Sequence, residues 1–137
     1  MNDKIKIFLV DDDAVFLKMS EIAFRQHDNF AVETYPTGEL CISNLSHNPD
    51  IVILDYYLDG IDKHAISGLE TLDKIKKYNS DILVIMLSAQ NKMDVALDCM
   101  QHCASDYVMK NKTAFERLPH IIDTIFNFKR MEKGLSI

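Results

Sequence analysis

The sequence predicts an α/β fold in which helices cover both faces of a parallel β-sheet. Segments with strand character alternate five times with segments of helical periodicity. Three strand segments, residues 5–10, 50–55 and 81–89, are apolar almost throughout instead of alternating. Both faces of these strands must therefore be covered, as in a parallel sheet between helices. A chain of 137 residues has room for one such domain.

The first half of the chain contains two predicted strands and two predicted helices. Asp13 and Thr37 are residue types that cap helix N-termini, and each precedes a segment with helical character. Apolar Phe16, Met19 and Ala23 recur at helical spacing after Asp13. The predicted elements are a strand at 5–10, a helix from Asp13 to about Gln26, a strand at 30–35 and a short helix from Thr37 to about Leu45.

The second half continues the same alternation after a break at Asn48-Pro49. Gly134 and the polar residues after it are expected to fray. The domain is therefore predicted to cover residues 4–131, with a flexible tail at 132–137. The predicted elements are strands at 50–55, 81–89 and 105–110 and helices at 68–78, 92–102 and 113–131.

Composition narrows the class of function. The net charge is −6 and the pI about 5.2, so a basic nucleic-acid groove is not indicated. No apolar run approaches the roughly 20 residues of a membrane span, and no signal region begins the chain, which predicts a cytoplasmic protein. The three cysteines are expected to be reduced thiols. Helical spacing favours packing over zinc binding for Cys99, His102 and Cys103, because structural zinc sites usually have four ligands.

Polar residues stand at the carboxyl ends of four predicted strands. Asp11 and Asp12 end the first strand, Asp55 the third, Ser88 the fourth and Lys110 the fifth. The carboxyl ends of parallel strands share one edge of the sheet, where ligands of open α/β sheets bind. Each residue alone has an ordinary structural explanation, but together they predict one pocket.

The chemistry of this set favours a divalent cation. Carboxylates placed close together repel each other, and Mg²⁺ relieves that conflict because it prefers carboxylate, carbonyl and water oxygens. Lys110 would add a second positive charge. Asp55, a single acid from the middle of the sheet, is then the natural nucleophile for a phosphoryl group. Asp13 is expected to be only a helix cap.

Four motifs resemble the receiver domain of two-component response regulators across residues 4–131. The resemblance implies a flavodoxin-like (βα)5 three-layer sandwich with parallel strand order 2-1-3-4-5. It also implies a Mg²⁺ cofactor, with Mn²⁺ as a substitute, and a switch that is not a turnover enzyme. The motifs are "LVDDD", "VILDYYL", "VIMLSA" and "DYVMK".

The resemblance also implies individual roles and partners. The phosphoryl donor would be a histidine kinase or a histidine phosphotransfer protein. The switched surface would be the face of the fourth helix, fifth strand and last helix. A phosphorylation-dependent dimer could form through that face. The output partner is not indicated, and neither nucleic acid nor membrane is expected to be contacted. By position, Asp55 is the phosphoacceptor, and the metal ligands are Asp11, Asp12, Asp55 and the backbone carbonyl of Tyr57. Lys110 and Ser88 contact the phosphate. Ser88 and Tyr107 are the residues that change position in the switch.

The sequence departs from the family pattern at three places. Asp59 replaces the usual proline and Gly68 comes about five residues late, so residues 59–67 are predicted to be an insertion beside the site. Asn111 replaces the proline after the lysine, which predicts a trans bond, since a non-proline cis bond costs about 2.5–4 kcal/mol. Cys103 stands where a glycine often ends the fourth helix.

Other functions are weighed against this one. A flavin-binding electron carrier needs a phosphate-binding loop after the first strand, and the acidic segment there disfavours it. A haloacid-dehalogenase-type phosphotransferase has an aspartate two residues after its nucleophile, where this chain has Tyr57. A degenerate receiver used only for docking is the third alternative. Residues 115–131 are expected to be a packing helix rather than a dedicated dimer helix.

Overall fold

The computed structural model contains five strands and five α-helices in alternation, and it describes residues 4–60, 62–89, 93–111 and 113–135. The elements are β1 (Ile5–Val10), α1 (Ala14–Arg25), β2 (Phe30–Tyr35), α2 (Gly38–Ser43), a 3-10 turn (Leu45–His47), β3 (Ile51–Asp55), α3 (Gly68–Tyr78), β4 (Leu83–Ser88), α4 (Met93–Gln101), β5 (Asp106–Met109) and α5 (Ala114–Leu135). All pairings are parallel and the strand order is β2-β1-β3-β4-β5, which confirms the predicted α/β class and order.

Two hydrophobic clusters lie on opposite faces of the sheet. Successive side chains of a strand point to opposite faces, so Ile5, Ile7 and Leu9 of β1 enter one cluster, and Phe8 and Val10 the other. This division explains why the strands are apolar at almost every position. The first cluster includes Phe24 of α1 and Leu118 and Ile122 of α5, and the second includes Cys41 of α2, Leu72 of α3 and Cys99 of α4.

The two predicted N-caps are confirmed. The Asp13 carboxylate accepts hydrogen bonds from the backbone N–H groups of Val15 at 3.1 Å and Phe16 at 3.2 Å. The Thr37 hydroxyl accepts one from the Leu40 N–H at 3.1 Å. These side chains satisfy N–H groups that have no partner within the first turn of a helix. The cap also fixes the point at which α1 leaves the end of β1.

Two helix ends differ from the prediction. α2 ends at Ser43 and not at Leu45, and a 3-10 turn follows it. α5 continues to Leu135 instead of ending at Met131. Gly134 lies within it, because one glycine costs a helix only about 1 kcal/mol relative to alanine and need not end it. Neither α5 nor another helix in the described ranges has the length and hydropathy needed to cross a bilayer.

The exposed face of α1 carries apolar residues. Phe16 and Ala23 pack against the first cluster as their spacing predicts, but Met19 is 50% exposed. Val15 is 69% and Ile22 is 53% exposed. Helical spacing places Val15, Met19 and Ile22 along one side of the helix. We call these three residues the α1 stripe.

Cys103 has a left-handed backbone conformation, with φ 72°. A side chain costs roughly 1–2 kcal/mol in that region, whereas glycine adopts it freely. We expect Cys103→Gly to raise the free energy of unfolding by about 0.5–1 kcal/mol in urea denaturation. Cys103→Ala keeps the β-carbon and should show no such gain. Equal gains in the two variants would assign the effect to loss of the thiol instead.

Candidate functional site

Three carboxylates meet where β1 and β3 end. Val10 pairs with Leu54 in the sheet, so the next residues, Asp11 and Asp55, leave neighbouring strands at the same level. Oxygen atoms from Asp11, Asp12 and Asp55 lie within 4.8 Å of one another. Asp11 and Asp55 are buried, with 3% and 4% of their surface exposed. The parallel topology therefore concentrates negative charge at one edge of the sheet.

Lys110 brings a positive charge into this cluster. Its Nζ lies 2.9 Å from Asp11 Oδ2, 3.1 Å from Asp11 Oδ1 and 3.8 Å from Asp55 Oδ2. The backbone N–H of Lys110 donates to the Ser88 carbonyl at 2.7 Å, which continues the pairing of β5 with β4. One ammonium group thus contacts two of the three carboxylates, those of Asp11 and Asp55.

Asn111 performs a structural task at the position where the family pattern has proline. The Lys110–Asn111 bond is trans, since no cis bond occurs in the described ranges. The Asn111 side-chain oxygen accepts hydrogen bonds from the N–H groups of Thr113 at 3.0 Å and Ala114 at 3.2 Å. Asn111 therefore caps the start of α5 and fixes the backbone beside Lys110.

Burial and crowding alter the acidity of the cluster. Burial raises the pKa of Asp55 to about 7. The negative charge of Asp11 adds to this increase, and the positive charge of Lys110 opposes it. Burial also raises the pKa of Asp11, although the hydrogen bond from Lys110 acts in the opposite direction. Asp11 Oδ2 is buried and lies at ion-pair distance from Lys110 without a hydrogen bond from any described residue. The cluster therefore has unused capacity to bind positive charge.

A cavity of about 490 Å³ opens over these residues. A β-carbon added to Gly60 would lie 3.5 Å from the Tyr57 carbonyl oxygen and 3.6 Å from Asp12 Oδ2, so both oxygens border the space beside Gly60. Carboxylate and carbonyl oxygens with room for water are the donor set that Mg²⁺ prefers, so these residues fit that ion. The cavity is lined by Asp12, Asp13, Ala14, Asp55, Tyr57, Gly60, Ala89 and Lys110.

Ser88 and Tyr107 occupy the adjoining strands. Ser88 ends β4, one residue beyond Leu87, the sheet partner of Asp55, and it is fully buried. Tyr107 pairs with Met86 and packs, half-buried, against the second hydrophobic cluster. Ser88 is therefore at the same sheet edge as Asp55, while Tyr107 lies two residues before Met109, the sheet partner of Ser88.

Two features of the site are not predicted by the sequence. Gly68 closes the 59–67 loop by donating its N–H to the Tyr56 carbonyl at 3.1 Å, and a β-carbon there would collide with the backbone of Asp55 and Tyr56. The ring of Phe16 lies under Lys110, with its centroid 4.5 Å from Nζ. The late glycine was visible in the sequence as a departure, but nothing local distinguished Phe16 from an ordinary core residue.

The loop at residues 59–67 is held to α2 through Ile66. The N–H of Ile66 donates to Glu39 Oε2 at 3.0 Å, and the Ile66 side chain lies against Gly38, where a β-carbon would come within 3.0 Å of it. Ser67 then caps α3 by accepting from the Glu70 N–H at 3.2 Å. The C-terminal end of the loop, at Ile66 and Ser67, is therefore attached to α2 and α3. Gly60, at the start of this loop, lines the cavity, and the insertion itself stays a prediction.

Known proteins with similar sequences and folds include several regulators. A protein-glutamate methylesterase/protein-glutamine glutaminase from Trichodesmium erythraeum is 32% identical over 111 residues, which are 78% of this chain and 30% of that protein. The chemotaxis protein CheY of Bacillus subtilis is 26% identical over 74% of this chain and 82% of its own length. The BeF3-activated receiver domain of DrrB, a Thermotoga maritima OmpR/PhoB homolog, has a TM-score of 0.73 at 27% identity and covers 88% of this chain and 98% of that domain.

The extent of these matches limits what they imply. The chain spans 30% to 53% of the length of the first three curated relatives it matches. The similarity therefore concerns one module that those longer proteins share with this chain. The family model of the response regulator receiver domain matches residues 7–123 of this chain. The chain therefore belongs to this family of signalling modules.

Proposed function

We propose that the chain accepts one phosphoryl group on Asp55 from a phosphohistidine donor, in a Mg²⁺-dependent reaction, and thereby switches a protein-interaction surface. The observation that carries this proposal is the meeting of three carboxylates within 4.8 Å, with Lys110 paired to Asp11 and Asp55. Receiver domains generally bind Mg²⁺ in an acidic pocket and have a histidine kinase as partner. A histidine phosphotransfer protein could present the same phosphohistidine.

The transfer requires position and charge more than covalent catalysis. An Asp55 carboxylate oxygen attacks phosphorus, the P–N bond of the phosphohistidine breaks, and its electron pair stays on the donor imidazole. Lys110 Nζ, 3.8 Å from Asp55 Oδ2, is placed to neutralise a phosphoryl oxygen. Asp11, Asp12, Asp55 and the Tyr57 carbonyl would hold Mg²⁺, with Asp12 as a direct ligand, and the bound ion would supply further charge neutralisation.

The switch follows from the charge added at the sheet edge. Ser88 and Lys110 turn toward the new phosphoryl oxygens, and Tyr107 responds in the adjoining strand. These contacts exist only in the phosphorylated state, so they shift a two-state equilibrium. The surface affected is the face of α4, β5 and α5, through which two phosphorylated copies could pair. A separate protein, or a further domain of a longer chain, would read this face.

Intact mass spectrometry tests the proposal directly. Incubation with Mg²⁺ and a small acyl phosphate should add one phosphoryl group. Excess EDTA should prevent the gain, and Mn²⁺ should restore it. A folded protein that gains no mass, or one that gains it equally in EDTA, would refute a Mg²⁺-dependent phosphoacceptor.

The α1 stripe is the surface we propose for the donor. α1 begins two residues after Asp12, so the stripe starts at the edge of the cavity. Beside it lies a groove of about 470 Å³. An amphipathic helix that presents a histidine could cover this apolar surface. The groove is lined by Met19, Ile22, Ala23, Gln26, His27, Phe115 and Glu116.

We expect Ile22→Glu to slow phosphotransfer from a histidine phosphotransfer protein about tenfold, because it places a charge in an apolar contact. The rate with a small acyl phosphate should not change, since Ile22 is outside the cavity over Asp55. Ile22→Leu should behave as the native chain with both donors. Equal slowing with both donors would instead indicate damage to the site, and no slowing would exclude this surface.

Tyr57 is expected to prolong the life of the phosphorylated state. It is 39% exposed and lines the cavity, where its ring can obstruct hydrolytic water. The family resemblance implies that Tyr57 and Gln90 flank the path of that water, and Gln90 lies outside the described residues. We expect Tyr57→Ala to shorten the half-life of phosphoaspartate several-fold, followed as loss of the added mass, and Tyr57→Phe to preserve it. A native half-life no longer than that of Tyr57→Ala would contradict this.

Three finer points belong to the proposal. The protein is a switch and not a turnover enzyme, so sustained release of phosphate from a small ester would favour the phosphotransferase alternative. Binding of a partner with equal affinity before and after phosphorylation would favour the alternative of a receiver used only for docking. We propose a cytoplasmic location, where Cys41, Cys99 and Cys103 remain free thiols.

A further inference from the structure

Phe16 touches the site through the side chain of Lys110. Its ring centroid lies 4.5 Å from Lys110 Nζ, the geometry of a cation–π contact. The same Nζ lies 2.9 Å from Asp11 Oδ2 and 3.8 Å from Asp55 Oδ2. The Lys110 ammonium group is therefore in contact with two carboxylates and with the aromatic ring of Phe16. Only 14% of the Lys110 side chain is exposed, so water competes weakly for this contact.

The backbone of Phe16 is held by hydrogen bonds at both its N–H and its carbonyl group. Its backbone N–H donates to the Asp13 cap at 3.2 Å, and its carbonyl accepts the Ser20 hydroxyl at 2.8 Å. Its ring packs on the ring of Phe115 from α5, with centroids 5.0 Å apart and an interplanar angle of 32°. The ring under Lys110 is therefore part of the packed interface between α1 and α5.

We infer that Phe16 is a positioning residue that holds Lys110 Nζ between Asp11 and Asp55, ready for the phosphoryl oxygen. A lysine side chain has four rotatable bonds and loses much conformational freedom when it is fixed. The aromatic face restricts that freedom before the phosphoryl group arrives, and an aliphatic side chain of similar size would not attract the ammonium group. Loss of the ring should slow phosphorylation of Asp55 about fivefold. The effect on rate rests on the proposed function, whereas the placement of Lys110 does not.

Nuclear magnetic resonance tests the placement without any phosphodonor or metal. Protons close to the face of an aromatic ring resonate upfield, so the Lys110 ε-methylene signal, identified by its loss in Lys110→Arg, should lie upfield of the other lysines. The shift should persist in Phe16→Tyr and disappear in Phe16→Leu. A Lys110 signal in the ordinary lysine range in the native chain, or one unchanged by Phe16→Leu, would overturn the inference.

Phosphorylation rates with a small acyl phosphate provide the second test. Phe24 is the matched control, because it is fully buried on the same helix and in the same cluster and contacts Phe30 instead of the site. Phe16→Leu should be about fivefold slower than the native chain, while Phe16→Tyr and Phe24→Leu should retain the native rate. Equal rates in Phe16→Leu and Phe16→Tyr, or equal slowing in Phe24→Leu, would refute a specific role for the ring. If the native chain accepts no phosphoryl group, the proposed function fails, and the Lys110 signal still decides the placement.

Discussion

Asp55→Asn is expected to gain no phosphoryl group under conditions in which the native chain gains one. The amide is a poor nucleophile, and Asp55 is the carboxylate at the end of the central strand β3 with Lys110 Nζ 3.8 Å away. Intact mass after incubation with Mg²⁺ and a small acyl phosphate measures the difference. Asp50→Asn is the matched control, because Asp50 lies just before the opposite end of β3, where its carboxylate accepts the Lys6 N–H at 2.8 Å. Phosphorylation of Asp55→Asn would assign the reaction to another residue.

The same variant should be more stable than the native chain at neutral pH without metal. Burial, together with the charge of Asp11, raises the pKa of Asp55 from 3.8 to about 7, so the native state binds this proton more tightly than the unfolded state. The ionised carboxylate therefore costs stability as the pH rises from about 4 to about 7, and the full cost is present above that range. Asparagine avoids it.

Urea denaturation in EDTA at pH 4.5 and pH 7.5 measures this effect. We expect Asp55→Asn to gain on the order of 2 kcal/mol at pH 7.5 and much less at pH 4.5. Mg²⁺ should narrow the difference, because it stabilises a cluster that keeps all of its carboxylates. A variant that is less stable than the native chain at pH 7.5 would show that the Asp55 charge is already compensated within the protein.

Gly68→Ala should destabilise the chain by about 2–3 kcal/mol. A β-carbon at this position would lie 2.6 Å from the Tyr56 carbonyl oxygen and 2.8 Å from the Tyr56 Cα, and it would also collide with the Asp55 carbonyl. These are backbone atoms, which cannot rotate away, so α3 must separate from the end of β3. The hydrogen bond from the Gly68 N–H to Tyr56 would weaken at the same time.

Gly60→Ala is the matched control for this loss of stability. A β-carbon there would lie 3.5 Å and 3.6 Å from its nearest neighbours, which is ordinary contact, and neither glycine has a positive φ. Urea denaturation should therefore show a change below about 0.5 kcal/mol for Gly60→Ala. Equal losses in the two variants would mean that chain flexibility, and not the close approach of α3 to β3, explains the need for glycine at position 68.

The residues of the site, and the edge of the sheet at which they meet, could be predicted from the sequence. Asp11, Asp12, Asp55 and Lys110 were expected together because each follows a strand, and parallel topology fixes which end of a strand faces the crevice. The distances among them could not be predicted. Asp11 and Lys110 are 99 residues apart in the chain, and their 2.9 Å contact depends on the packing of every strand between them.

The sequence by itself determined the α/β class, the strand order implied by the family resemblance, the helix starts at Asp13 and Thr37, and the edge at which the acids meet. The strand order rests on the family resemblance, whereas the other properties follow from periodicity, capping and chain direction, which operate within a few residues. Only the tertiary structure decided that Phe16 lies under Lys110, that Gly68 packs on the end of β3, and that the α1 stripe faces outward. The rotation of a helix about its axis and the approach of two backbones are set by close packing between distant segments, and local patterns do not encode them.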